Sequence, residues 1–97
     1  MKLRWTPLAL EKAEEIAEYI HLDKPGAALD WLEGIFAAAD SLPEFPQRGR
    51  IVPEIGREDI RELLLGNYRL IYRVEEDFLS ILTLRHGRQL LDSRELV

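Results

Sequence analysis

Ninety-seven residues with a formal charge of −5 and no cysteine fit one ordinary domain, residues 1–97. A chain of this length buries roughly 65% of its unfolded surface, enough for a core without disulfide or thiolate–metal staples. The acidic balance argues against a role resting on bulk attraction to nucleic acid. The opening MKLRWTPLAL meets Pro7 and charge too soon for an export leader, and no run reaches membrane-spanning length, so a cytoplasmic location and no membrane partner are expected.

The charge is unevenly spread. Residues 1–45 hold four Lys/Arg against nine Asp/Glu, whereas 46–97 hold nine against nine, and all nine cations there are arginine. Arginine presents a planar fork suited to carboxylate or phosphate, so recognition is expected from the second half.

Residues 1–5 alternate charged and apolar side chains, with Leu3 and Trp5 on one side, as a half-buried edge strand would. Thr6-Pro7 is an N-cap followed by proline at the first helical position. Ala9, Ala13, Ile16, Ala17 and Ile20 then form one helical stripe. Asp23-Lys24-Pro25 ends that helix and starts another, striped by Ala28, Leu32, Ile35, Phe36, Ala39 and Leu42, so 7–42 is expected to be an antiparallel helix hairpin. Residues 43–59 carry Pro43, Pro46, Gly49, Pro53 and Gly56 and are expected to form a loop. Three β-rich runs follow at 60–65, 68–75 and 78–86, joined by two-residue turns at Gly66-Asn67 and Glu76-Asp77. The fold class expected is α+β: an N-terminal strand, a helix hairpin, and a three-stranded antiparallel meander over 60–86 packed on the helices as one twisted sheet. The tail, 87–97, forms either a short helix or an extended cover for the sheet.

A turn at 76–77 sets a register in which 73 opposes 80, 71 opposes 82 and 69 opposes 84. One face then carries Tyr68, Leu70, Tyr72, Val74, Leu79, Ile81, Thr83 and Arg85 and packs on the helices. The other carries Arg69, Ile71, Arg73, Glu75, Phe78, Ser80, Leu82, Leu84 and His86. That second face is too apolar to stand in water, which leaves either the tail or a partner to cover it; a partner is the expectation.

LRWTPLALEKAEEIAEYI, LPEFPQRGR, RELLLGNYRLIYRV and ILTLRHGR, in this order, resemble the RelE/ParE superfamily of type II toxins over nearly the whole chain. The resemblance implies a bacterial toxin of the plasmid-stabilisation type, neutralised by a cognate antitoxin. That partner is expected to be amphipathic with an acidic tail, and DNA contact is expected only through it. RelE-like members are messenger-RNA endonucleases, often ribosome-dependent; ParE-like members inhibit DNA gyrase by binding.

In the nuclease branch, the arginine of the Y-R-L-I-Y strand and a basic or histidine residue ending the last strand work together, which here fall on Arg69 and His86. Arg69 would stabilise phosphate charge and His86 would donate a proton, with Glu54 or Glu62 as the base. Two departures weigh against this. The chain is acidic, and His86 is followed by Gly87 rather than an aromatic or further basic residue. The ParE-like branch is therefore expected, with a messenger-RNA endonuclease and an inactive antitoxin binder as the alternatives. The surface for target or antitoxin is expected to include Arg61, Arg69, Ile71, Arg73, Phe78, Leu82, Leu84, Arg85 and Arg88. The plainer reading pairs Arg69 and Arg73 with Glu62 or Glu75, and Arg88 with Asp92 or Glu95. No cofactor or metal motif is found.

Overall fold

The computed structural model describes residues 1–91 and 93–96. Its elements run β1 (Lys2–Trp5), α1 (Pro7–Asp23), α2 (Pro25–Ser41), β2 (Arg50–Ile51), β3 (Ile60–Leu65), β4 (Tyr68–Val74), β5 (Phe78–His86) and a 3₁₀ turn at Ser93–Leu96. The strands form one sheet in the order β1-β5-β4-β3-β2. It is antiparallel except that β1 lies parallel to β5, Leu3 beside Leu79 and Trp5 beside Ile81. The expected α+β architecture is present, and the sheet gains β2 from within the stretch expected to be loop. No described helix is long and apolar enough to cross a membrane.

Local chemistry accounts for the boundaries. Thr6 Oγ1 accepts from the Ala9 amide at 3.1 Å and lies 2.9 Å from the Ile81 carbonyl, so the cap of α1 is also tied to β5. Pro7 starts the helix where its missing N–H costs nothing. Lys24, extended at φ −140°, closes α1 and opens α2. Gly66 adopts φ 60°, and no described non-glycine residue has a positive φ, so Asn67 is conventional. That combination is the one a type II′ hairpin turn requires.

The helices share one side of the sheet. Alanines 9 and 13 of α1 and Ile35 and Ala39 of α2 join Leu63, Leu70, Tyr72, Leu79, Ile81 and Leu84 in the main core. Small side chains let α1 lie close to β5. Burying each large aliphatic residue of this set stabilises by about 1.5–3 kcal/mol.

A β-bulge alters the expected register. Near the turn, Arg73 faces Ser80 as anticipated, but the ladder slips between Ile71 and Tyr72, so that Tyr72 faces Ile81 while Ile71 faces Thr83. Leu82 is the extra residue on β5. Beyond it every position moves to the other side: Leu84 joins the helix-side core, and Arg85 lies beside Arg69.

The second face is also closed. Val52, Ile60, Ile71, Leu82, Leu91 and Leu96 form a second buried cluster with Ile55 against it. The expectation that a partner covers this side is therefore corrected. The loop before β3 and the chain's own tail seal it, because each supplies apolar residues spaced to meet the sheet.

Candidate functional site

An ionic cluster lies beneath the tail. Arg69, 5% exposed, donates from Nε to Glu62 Oε1 at 2.6 Å and through both terminal nitrogens to Glu54 at 2.8 and 2.9 Å. Its Nη1 also donates to the Gln89 carbonyl at 3.0 Å. Glu62 has a fully buried side chain, and its second oxygen accepts from Arg50 Nε at 2.6 Å. Glu54 also accepts from the Leu91 amide at 3.0 Å, which ties loop, strand and tail together. The plainer reading of Arg69, an ion pair with Glu62, is what the geometry realises. With so many of its N–H groups engaged, the guanidinium has little left to offer a phosphate.

The Arg69 hydrogen bonds hold the Glu54 carboxyl down at about 2, opposed by burial and assisted by the Leu91 amide. Because the folded value lies below the ordinary 4.5, the stabilisation is complete above that pH and is lost as pH falls towards 2. Melting temperatures recorded from pH 5 to 2 should therefore decline, and Glu54→Gln should remove part of that decline. Asp59, lowered by Arg57, and Glu75, lowered by Ser80 and Arg4, act in the same direction. An unchanged slope in Glu54→Gln would show that this ion pair adds nothing to acid sensitivity.

His86 is elsewhere. It pairs with Tyr68 across the β4–β5 ladder, its ring centroid 5.8 Å from the Tyr68 ring, which in turn meets Trp31 of α2 at 5.4 Å. Its Nδ1 accepts from the Arg88 amide at 3.2 Å, and it borders a cleft of about 300 Å³ beside Lys12, Glu15 and Tyr19 of α1. Arg69 and His86 were expected to share a face. They lie on opposite sides of the sheet, because the bulge intervenes. Glu54 and Glu62 stay with Arg69, so the expected base and acid are separated by the sheet itself.

The other expected contact residues are dispersed. Ile71 and Leu82 are buried in the second cluster and Leu84 in the first. Arg73 donates to the Leu96 carbonyl at 2.9 Å, and Arg85 Nη1 bonds the Leu90 carbonyl, so both arginines hold down the tail. Arg61 bonds the Gly49 and Glu58 carbonyls. Phe78 is half-buried under the Arg4 guanidinium, 4.6 Å from the ring centre. Arg88 is exposed, and its expected contacts with Asp92 or Glu95 lie outside the described side chains.

Sequence reasoning missed the surface that is open. A groove of about 860 Å³ runs between α1 and α2, floored by Ala13, Ala17, Ala28 and Leu32 and bordered by Leu10, Leu22 and Phe36. Leu22 is 86% exposed, Leu29 62% and Leu10 48%. Leu10, Leu22 and Leu29 fall outside the core stripes of their helices. That misplacement, in a sequence otherwise charged on those faces, was the available signal.

The sequence of residues 3–91 matches the family described as ParE toxin of type II toxin-antitoxin system, parDE. Among its relatives, the putative toxin Y4kP of Sinorhizobium fredii is 40% identical, the match covering 91% of this chain and 90% of that protein. Toxin RelE2 of Caulobacter vibrioides is 34% identical, with 89% and 94% covered. A solved structure described as the chromosomal ParDE TA system from P. aeruginosa superposes with a TM-score of 0.75 at 22% identity, covering 89% of this chain and 95% of that one, and shows the same fold. With a family match along almost its whole length, this chain belongs to the ParE toxins of type II toxin–antitoxin systems.

Proposed function

We propose that this toxin arrests growth by binding a protein target, DNA gyrase, rather than by cutting messenger RNA. One observation carries the reading: Arg69 is buried and saturated by Glu62, Glu54 and the Gln89 carbonyl, on the opposite side of the sheet from His86. A nuclease centre needs a phosphate-binding cation and a proton donor within reach of one substrate atom. Net charge of −5 adds a further obstacle to holding RNA.

The partner is an antitoxin. With the tail-side face sealed, the surface we assign to it is the α1–α2 groove, about 860 Å³ and lined mostly by apolar side chains of both helices, the kind of seat that takes the apolar face of a third helix. Any contact with DNA is made by that partner.

The test is induction of the chain alone. Growth arrest is expected, with supercoiling by gyrase inhibited in extracts and transcripts intact. A defined RNA cut that disappears in His86→Ala would overturn the reading in favour of a nuclease. Failure to arrest growth would leave an inactive antitoxin binder.

A further inference from the structure

We infer that the α1–α2 groove selects its helical partner by charge, accepting a helix whose apolar stripe is flanked by lysine or arginine. The inference rests on the reading of the groove as the antitoxin seat. Residues 7–42 carry eight carboxylates against two lysines, so this layer is more acidic than the whole chain. The carboxylates are not scattered. Glu14 and Glu18 border the groove itself, and both are exposed. Glu15 lines it as well, so α1 supplies an acidic rim, while α2 supplies the apolar wall of Ala28, Leu32 and Phe36. An apolar floor edged by an acidic rim is the complement of an apolar stripe edged by basic residues.

The positive groups nearby offset only part of this rim. Lys12 reaches Glu15, which borders both the groove and the small cleft, at 3.4 Å, leaving Glu14 and Glu18 as the groove carboxylates that no described lysine or arginine pairs with. His21 lines only the end of the groove at the helix turn. The acidic tail expected from the arginine-rich sheet half is therefore the wrong sign for this surface. Those arginines are spent on Glu62, Glu54 and tail carbonyls instead. A second copy of the chain is disfavoured by the same logic, because like rims would meet. Nucleic acid is excluded by sign.

Two synthetic helical peptides provide the probe. They share one leucine–alanine stripe, flanked in one by lysine and in the other by glutamate, and carry a fluorescent label. Anisotropy titration against the purified chain at about 50 mM salt should show the lysine peptide binding at least about tenfold tighter, a gap that closes near 0.5 M as the glutamates are screened. Combined Glu14→Gln, Glu15→Gln and Glu18→Gln should weaken the lysine peptide by about tenfold and leave the glutamate peptide unchanged or tighter. Leu10→Ser with Leu22→Ser should weaken both, which places binding in the groove. Equal affinities, a preference for glutamate, or no binding of either peptide would overturn the inference. Growth arrest is scored separately. A chain that arrests growth yet does not discriminate loses only the charge rule, whereas one that discriminates without arresting growth keeps the rule and loses the toxin reading.

Discussion

Arg69→Met should lower the melting temperature by at least about 12 °C. The change leaves Glu62, whose side chain has no exposure, charged and facing Arg50 alone. Breaking a buried pair from one side costs about 3–5 kcal/mol. In a domain of this size each kcal/mol shifts the midpoint by about 4–8 °C. Adding Glu62→Leu should recover at least half of the loss, since replacing both charges with packed apolar groups is often close to neutral. Glu54 tolerates losing its partner better because its side chain retains 22% exposure. Thermal unfolding followed by circular dichroism reads all three proteins. An Arg69→Met protein that melts normally but fails in an RNA-cleavage assay would instead mark Arg69 as catalytic and sink the structural assignment.

Gly49→Ala should be of comparable severity, from sterics rather than charge. A Cβ there would lie 2.5 Å from the Tyr72 hydroxyl and 2.6 Å from the Glu62 carbonyl oxygen. Neither can retreat. The Glu62 carbonyl is strand backbone, and Tyr72 is fully buried, accepting from the Gly49 amide and donating to the Pro46 carbonyl, both at 2.8 Å. Overpacking costs about 1–3 kcal/mol. Losing the buried hydrogen bond adds about 1–3 kcal/mol. A fall in midpoint of about 8 °C or more is expected. Gly34→Ala is the matched control: an added Cβ there meets nothing within 4 Å, and in mid-helix the change should stabilise by about 0.5–1 kcal/mol. If the two substitutions behave alike, the close approach of residue 49 to the tyrosine is not real.

Much of the architecture could be read from residue order. Thr6-Pro7, the alanine stripe of α1 and the Lys24-Pro25 break each express a local rule, and local rules set helix boundaries. Gly66-Asn67 fixed one hairpin in the same way. The register beyond Ser80 could not be read by assuming strict alternation, and this cost the candidate site its geometry. The sequence did hold a hint. Apolar residues keep phase at Leu79 and Ile81, then resume at Leu84 with Thr83 out of step, as an extra residue requires. The tail was harder. Leu91 and Leu96 carry no periodic signal, and only the tertiary meeting of Arg69, Arg73 and Arg85 with tail carbonyls shows where the segment lies. The parallel pairing of β1 with β5 rests on contacts between the two ends of the chain, which no local pattern encodes.

That pairing also bears on how the molecule is made. Residues 2–5 are held by residues 78–81, and the cap of α1 is fastened to the same strand. Isolated helices of this length are marginal in water. The helix hairpin thus gains its footing only after β5 has been synthesised. At about 5–20 residues per second, the stretch from the end of α2 to residue 81 adds roughly 2–8 s to synthesis. A polypeptide released early, before Phe78, would lack the strand against which α1 packs and beside which β1 pairs. Topology therefore ties the first turn of the chain to one of its last strands, so the fold closes only near the end of translation.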